Sequence, residues 1–333
     1  MAQLNNAFTL FLSLLVEALP FLLLGVLLSS ILLFFIEEDK LIEIVPKNPI
    51  LGALVGSCVG FLFPVCECGN VPVARRLIMK GVPLPVAVGF LLAAPTINPI
   101  VVWSTWTAFR DRPEIVVLRI LFSLLIATIV GYVFSTQKDL KPILQPAIAL
   151  GMMRNKPQST EAPSLLQGGD FMLGGGAGGA VRIDRDFAKQ QATPKLSLRS
   201  RVDLLLDNVI QELRELGGVL VLGSAIAAAI QTLTPREVIL NLGQGPIISI
   251  LVMMLLAATI SICSTVDSFF ALSFAATFTS GSLLAFLVFG PMFDLKSIGL
   301  MLSVFKPRAI FYLLLITTQL TFLFTLFINF NVS

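Results

Sequence analysis

Uncharged runs covering residues 81–109, 246–266, 268–290 and 309–330 constrain this chain more than any other feature. Each reaches or exceeds the roughly 20 residues an α-helix needs to cross a hydrocarbon core about 30 Å thick. A further run, 8–36, carries a single charge, Glu17. No water satisfies stray backbone groups inside a bilayer, so continuous apolar runs of this length read as helices. With 56% of residues hydrophobic and 13% charged, against about a quarter charged in soluble domains, the chain reads as an all-α polytopic membrane protein. The opening MAQLNNAFTL has no basic n-region, and the apolar stretch behind it is too long for a cleaved signal, so the first span is expected to stay.

Composition also removes functions. There is no histidine, so the commonest metal ligand and general base are missing, and with them every triad built on imidazole. No phosphate-binding G-x-x-x-x-G-K-[ST] motif occurs. The net charge of +3 is spread over several loops and implies no nucleic-acid partner. The expectation is a non-enzymatic protein without a cofactor, lodged in the inner (plasma) membrane.

Residues 138–205 differ from the rest, rich in Pro, Gly, Ser and Gln and containing GGDFMLGGGAGGAV. They read as a flexible linker, placed in the cytoplasm, between a first membrane block (1–137) and a second (206–333). The blocks share ordered landmarks. Glu17 precedes Gly25 by eight residues, as Glu215 precedes Gly223; Cys66 and Asn70 in VCECGN match Cys263 and Asp267 in ICSTVD; Pro95 to Asn98 match Pro291 to Asp294. The offset drifts only from 198 to 197 to 196. Two homologous repeats of about four membrane segments each are therefore expected, an architecture common among secondary transporters.

Each block then reads as a long first helix (8–36; 206–231), two interrupted segments (50–80 and 82–109; 246–278 and 281–305) and a plain last helix (114–134; 309–330). The interruptions are CECGN, PTINP, CSTVD and PMFDLK. Proline removes a donor and clashes with the preceding turn, so these segments are broken or re-entrant. Three crossings plus a hairpin per block would make the repeats inverted, and four crossings would make them parallel; length alone does not choose.

Irregular backbone at membrane depth survives only where protein or a watery cavity covers it. The breaks are thus expected to converge on one central cavity, and their polar residues become the candidate substrate site: Cys66, Glu67, Cys68, Asn70, Thr96, Asn98, Cys263, Asp267 and Asp294. An acid in the bilayer interior costs about 2.5 kcal/mol or more, which favours a cavity-facing or paired position; Lys296 is the natural partner for Asp294. Cys66 and Cys68 can share one soft ion only if their backbone is non-helical, and the repeat would bring Cys263 opposite them as a third tentative metal or metalloid ligand. Against this stands the ordinary use of cysteine as a small packing residue, or a redox disulfide. Trp103, Trp106 and Arg110 read as interface anchors.

The stretch PVCECGNVPVARRLIMKGVPLPVAVGFLLAAPTINPIV, with SICSTVDSFFALSF and FGPMFDLKS, resembles the signature of the predicted-permease family that includes the ArsP organoarsenical efflux permeases. That resemblance implies a polytopic permease with paired cysteine-bearing motifs. This chain departs in having no second cysteine in CSTVD. Three functions stay open: a permease for a small, thiophilic or anionic solute; a membrane subunit of a larger complex, or a homo-oligomer; and a membrane thiol oxidoreductase.

Overall fold

The computed structural model describes residues 2–35, 46, 48–63, 66–136, 143–145, 148, 198–233, 245–275 and 277–331. Most of the expected linker lies outside the described residues. Among these the structure is helical without a β-strand: α1 (Ala2–Phe35), α2 (Pro49–Leu62), α3 (Glu67–Met79), α4 (Leu84–Ile97), α5 (Pro99–Ala108), α6 (Pro113–Ser135), α7 (Leu198–Leu233), α8 (Pro246–Ile260), α9 (Asp267–Leu272), α10 (Ser280–Met292), α11 (Leu295–Met301) and α12 (Pro307–Asn331). Helix α7 starts at Leu198, inside the segment read as linker. At 36 residues it is about 54 Å long and overruns the bilayer.

Six helical stretches are long and apolar enough to span, with α4–α5 and α10–α11 each counted as one. Of the two arrangements that the sequence leaves open, these six stretches fit three per half plus a hairpin. Helices α2 and α8, of 14 and 15 residues, reach only about 21–23 Å, short of a hydrocarbon core of about 30 Å. Each ends at a break and folds back.

The direction of every segment follows from which residues meet. Ala53 lies against Gly89 and Gly60 against Ala94, so α2 runs parallel to α4. Asn70 reaches Leu91, and α3 joins α4 through a tight turn at Gly81 (φ 82°), so α3 runs back along α4. Gly131 faces Pro85 and Arg119 meets Thr105, which makes α6 antiparallel to α4–α5. Ser29 bonds Glu212 at one end while Leu14 packs with Ala227 and Ala228 at the other, so α1 and α7 are antiparallel. In the second half Asn329 holds both Pro246 and Gly281, and Gly290 lies against Ala257, so α8 runs parallel to α10. Phe122 packs on Phe324, with Arg308 beside Thr136, so α12 runs antiparallel to α6.

The result is two re-entrant hairpins of opposite entry. Hairpin α2–α3 enters from the face where α6 ends and α7 begins, here the loop face. Hairpin α8–α9 enters from the opposite, terminal face, where α1 begins and α12 ends. Helices α4 and α10 pack on each other at the centre, and α4 is buried along its whole length. Around them α1, α2, α6, α7, α8 and α12 expose apolar side chains such as Val16, Leu222 and Phe327, as a lipid-facing surface requires. The polar residues lie inside: Glu67, Asn70, Lys80, Arg119, Glu212, Asp267, Asp294 and Lys296 are all buried.

Candidate functional site

Local chemistry fixes each break. Phe63 precedes a proline in sequence and is extended (φ −101°, ψ 109°), ending α2, because a following proline disfavours the helical region. Asn98 precedes Pro99, is extended (φ −64°, ψ 154°), and its side chain accepts from Val101 N at 2.9 Å, so it caps α5. Asp294 caps α11 in the same way, accepting from Ser297 N at 2.6 Å while Ser297 Oγ accepts from Asp294 N at 2.9 Å. Helix α8 stops at Ser261 in the left-handed region (φ 50°), a conformation that is costly without glycine. Its Oγ accepts from Leu295 N at 3.2 Å, tying the second hairpin to the α10–α11 break.

Pro95 inside α4 cannot donate to Leu91 O four residues back. Asn70 Nδ2 donates to that carbonyl at 2.6 Å, so the opening of α3 is bolted to the proline kink by the group the kink leaves free.

At the hairpin tips, ligand atoms of Cys66, Glu67 and Cys263 all lie within 4.8 Å of one another. Cys66 is the N-cap of α3 and Glu67 its first residue, where unpaired backbone N–H groups favour negative charge. Thr265 Oγ1 donates to Cys263 Sγ at 3.5 Å. Lys296 of α11 places Nζ 4.0 Å from Glu67 Oε1, both side chains buried. Asp294 and Glu17 lie close enough to act on the Lys296 charge. Glu67 Oε2 and Asp294 Oδ2 are buried with no hydrogen-bond partner, and an unsatisfied buried acceptor costs about 1–3 kcal/mol. All four cysteines are free thiols. Two sulfurs and a carboxylate suit a soft or borderline cation or metalloid.

The remaining candidates have other partners. Cys68 is buried beside Cys66, but Glu67 takes its place in the close cluster. Thr96 Oγ1 donates to Ala93 O at 2.8 Å within its own helix. Asp267 is gripped by Arg119 of α6, whose NH2 lies 2.7 Å from Oδ2 and NH1 3.1 Å from Oδ1. The same NH1 reaches Thr105 and Ser268, at 2.9 and 3.0 Å. Lys296 therefore pairs with Glu67, and Asp294 serves as a helix cap. Glu215 sits on the outside, bonded to Arg75 at 3.1 Å, with Glu212 one turn earlier facing Arg76 at 3.3 Å. The sequence reading missed Arg119 and Glu212. Arg119 is a charge inside an otherwise apolar stretch, the signal that already singled out Glu17, whereas Glu212 lies among the several charges of the first half of α7 and does not stand out. The site residues are buried, so the cluster is closed to both faces in this conformation. A cleft of about 380 Å³ lies elsewhere, at the loop-face ends of α6 and α12 beside Arg308 and Tyr312.

Comparison with known proteins places the chain among permeases. A family model described as a predicted permease, under the ArsP name, matches residues 3–330. The chain is 40% identical over 314 residues to the UPF0718 protein YcgR of Bacillus subtilis, covering 94% of this chain and 92% of that one. It is 34% identical over 300 residues to a Streptococcus mutans protein named as a two-component membrane permease complex subunit, covering 90% and 87%. No solved structure matches. The chain belongs to the predicted-permease family and is a multi-pass membrane protein.

Proposed function

We propose that this permease is a secondary transporter of the inner (plasma) membrane, not an enzyme, built from two inverted repeats and carrying a small thiophilic cation or metalloid through the Cys66, Glu67 and Cys263 cluster. One observation carries the reading: two hairpins entering from opposite faces bring two thiols and a carboxylate within 4.8 Å at their tips. Irregular backbone meeting at mid-depth is the usual seat of a transport site, and the orphaned oxygens of Glu67 and Asp294 are acceptors awaiting a positive ligand. Cys68 and Asp294 flank the cluster, and Asn70 and Asn98 fix the backbone breaks around it. Asp267 ties α9 to α6, and Thr96 bonds within its own helix.

Cadmium, a thiophilic probe, and a trivalent organoarsenical test this in proteoliposomes. Cys66→Ser, Cys263→Ser and Glu67→Gln are each expected to cut flux at least about tenfold, the loss that removing one outer-shell partner already produces at metal sites, whereas Cys58→Ser, at an exposed position, leaves it unchanged. Parental flux in all three site variants would sink the assignment.

A second reading rests on the Streptococcus mutans relative, named as a subunit of a two-component complex. The chain alone would then be inert in proteoliposomes and regain flux with a copurifying membrane partner.

A further inference from the structure

Among the described residues, four ion pairs each join a residue of the first half to one of the second, at three levels along the helix axes. Toward the loop face, Arg76 and Arg75 of α3 hold Glu212 and Glu215 of α7, with Ser29 bonded to both Arg76 and Glu212. At mid-depth Lys296 faces Glu67. Toward the terminal face, Arg119 of α6 grips Asp267 of α9.

The outer two pairs share a logic. Each clamps the returning arm of one hairpin, α3 or α9, to a long helix of the other half. The buried cluster lies at the tips of those arms, so a movement of α3 away from α7 would bare it toward the loop face, and a movement of α9 away from α6 toward the terminal face. Both clamps are shut in the structure.

We propose that these clamps are the two gates of the permease: Arg76 with Glu212 closes the site toward the loop face, and Arg119 with Asp267 closes it toward the terminal face. The inference rests on the transport reading above and adds how access alternates. The gates are unequal. The terminal gate is a bidentate pair with both side chains 4% exposed or less, while in the loop gate Arg76 lies 3.3 Å from Glu212 and is 12% exposed. Opening toward the loop face is the easier motion.

Cys66 and Cys263 report access directly. In a Cys58→Ala background, a membrane-impermeant methanethiosulfonate is applied from each face of sealed vesicles, with Asn5→Cys as a separate marker of the terminal face. The paired replacement Arg119→Met with Asp267→Leu removes the terminal gate without stranding a charge, an exchange that is often neutral for folding. It is expected to speed modification from the terminal face at least about tenfold, a shift of about 1.4 kcal/mol in the closing equilibrium. Arg76→Met with Glu212→Leu is expected to speed it from the loop face. Charge exchange, Arg119→Asp with Asp267→Arg, is expected to restore protection. Should the apolar pair fail to fold, Arg119→Lys keeps the charge, loses the bidentate fork, and is expected to speed modification from the terminal face about threefold.

Acceleration from the same face by both pairs, or from neither face in folded protein, overturns the gates. Labelling reads access and not flux, so that outcome leaves the cadmium experiment to judge the transport reading separately.

Discussion

The tip of the first hairpin and the tip of the second share a backbone and differ in chemistry. Cys66 O accepts from Gly69 N at 3.0 Å and Asn70 N at 3.2 Å; Cys263 O accepts from Val266 N at 2.9 Å and Asp267 N at 3.1 Å. The turn is the same, residue for residue, at the positions the sequence aligns. The fourth residue then diverges. Asn70 can donate, and it fills the vacancy that Pro95 leaves on Leu91 O. Asp267 can only accept, so it must import donors, and Arg119 supplies them from another helix. One atom's difference between an amide and a carboxylate decides whether a hairpin is anchored by its own half or by the other. Local rules set the shape of the breaks, and side-chain charge makes their roles unequal.

The sharpest way to break this comparison is to strand the charge. Arg119→Ala leaves Asp267 buried with only Ser268 to bond it and is expected to destabilise by about 3–5 kcal/mol, against about 2 kcal/mol for Arg76→Ala, where Ser29 still bonds Glu212; melting of detergent-solubilised protein measures both. Next come the matched glycines. A Cβ on Gly25 would run into the backbone of Gly69, whereas one on Gly223 would sit 3.3 Å from Lys296 Cα. Gly25→Ala is expected to cost about 3 kcal/mol and Gly223→Ala less than about 1; equal losses would show that α1 and α7 are held alike. Asn70→Leu removes the donor to Leu91 O and is expected to cost about 2 kcal/mol, with retained stability arguing that water takes over. The smallest contrast is between the caps. Asp294→Ala, which breaks a reciprocal capping box, should lose about 2 kcal/mol and Asn98→Ala about 1, read from the same melting curves.

Much of the fold was legible because lipid leaves few options. The interrupted segments 50–80 and 246–278 appear as α2–α3 and α8–α9, and the kinks at PTINP and PMFD as the α4–α5 and α10–α11 breaks. Proline and capping residues write such breaks locally. The number of crossings was not legible, since a 14-residue helix and half of a broken span look alike until its neighbours show which way it returns. Among site residues, the meeting of Cys66 with Cys263 followed from aligning the halves. The choice of Glu67 over Cys68 as their companion did not, since it depends on where α3 begins. Pairing partners were least legible. Arg119 and Asp267 are 148 residues apart, and Lys296 lies two residues from Asp294 yet turns to Glu67; no spacing rule reaches across that distance.

The turn at each hairpin tip also bears on a question of parity. A hairpin that enters and leaves by the same face adds no net crossing, which leaves three helical stretches in each half long and apolar enough to span. An odd count would put the start of the second half on the side opposite the start of the first, as the proposed inverted repeats require. Had the chain at Cys66 continued through to the far face, the count would be even and both halves would stand the same way up. Both hairpins would then open on one side, and no solute could be handed from one face to the other between their tips.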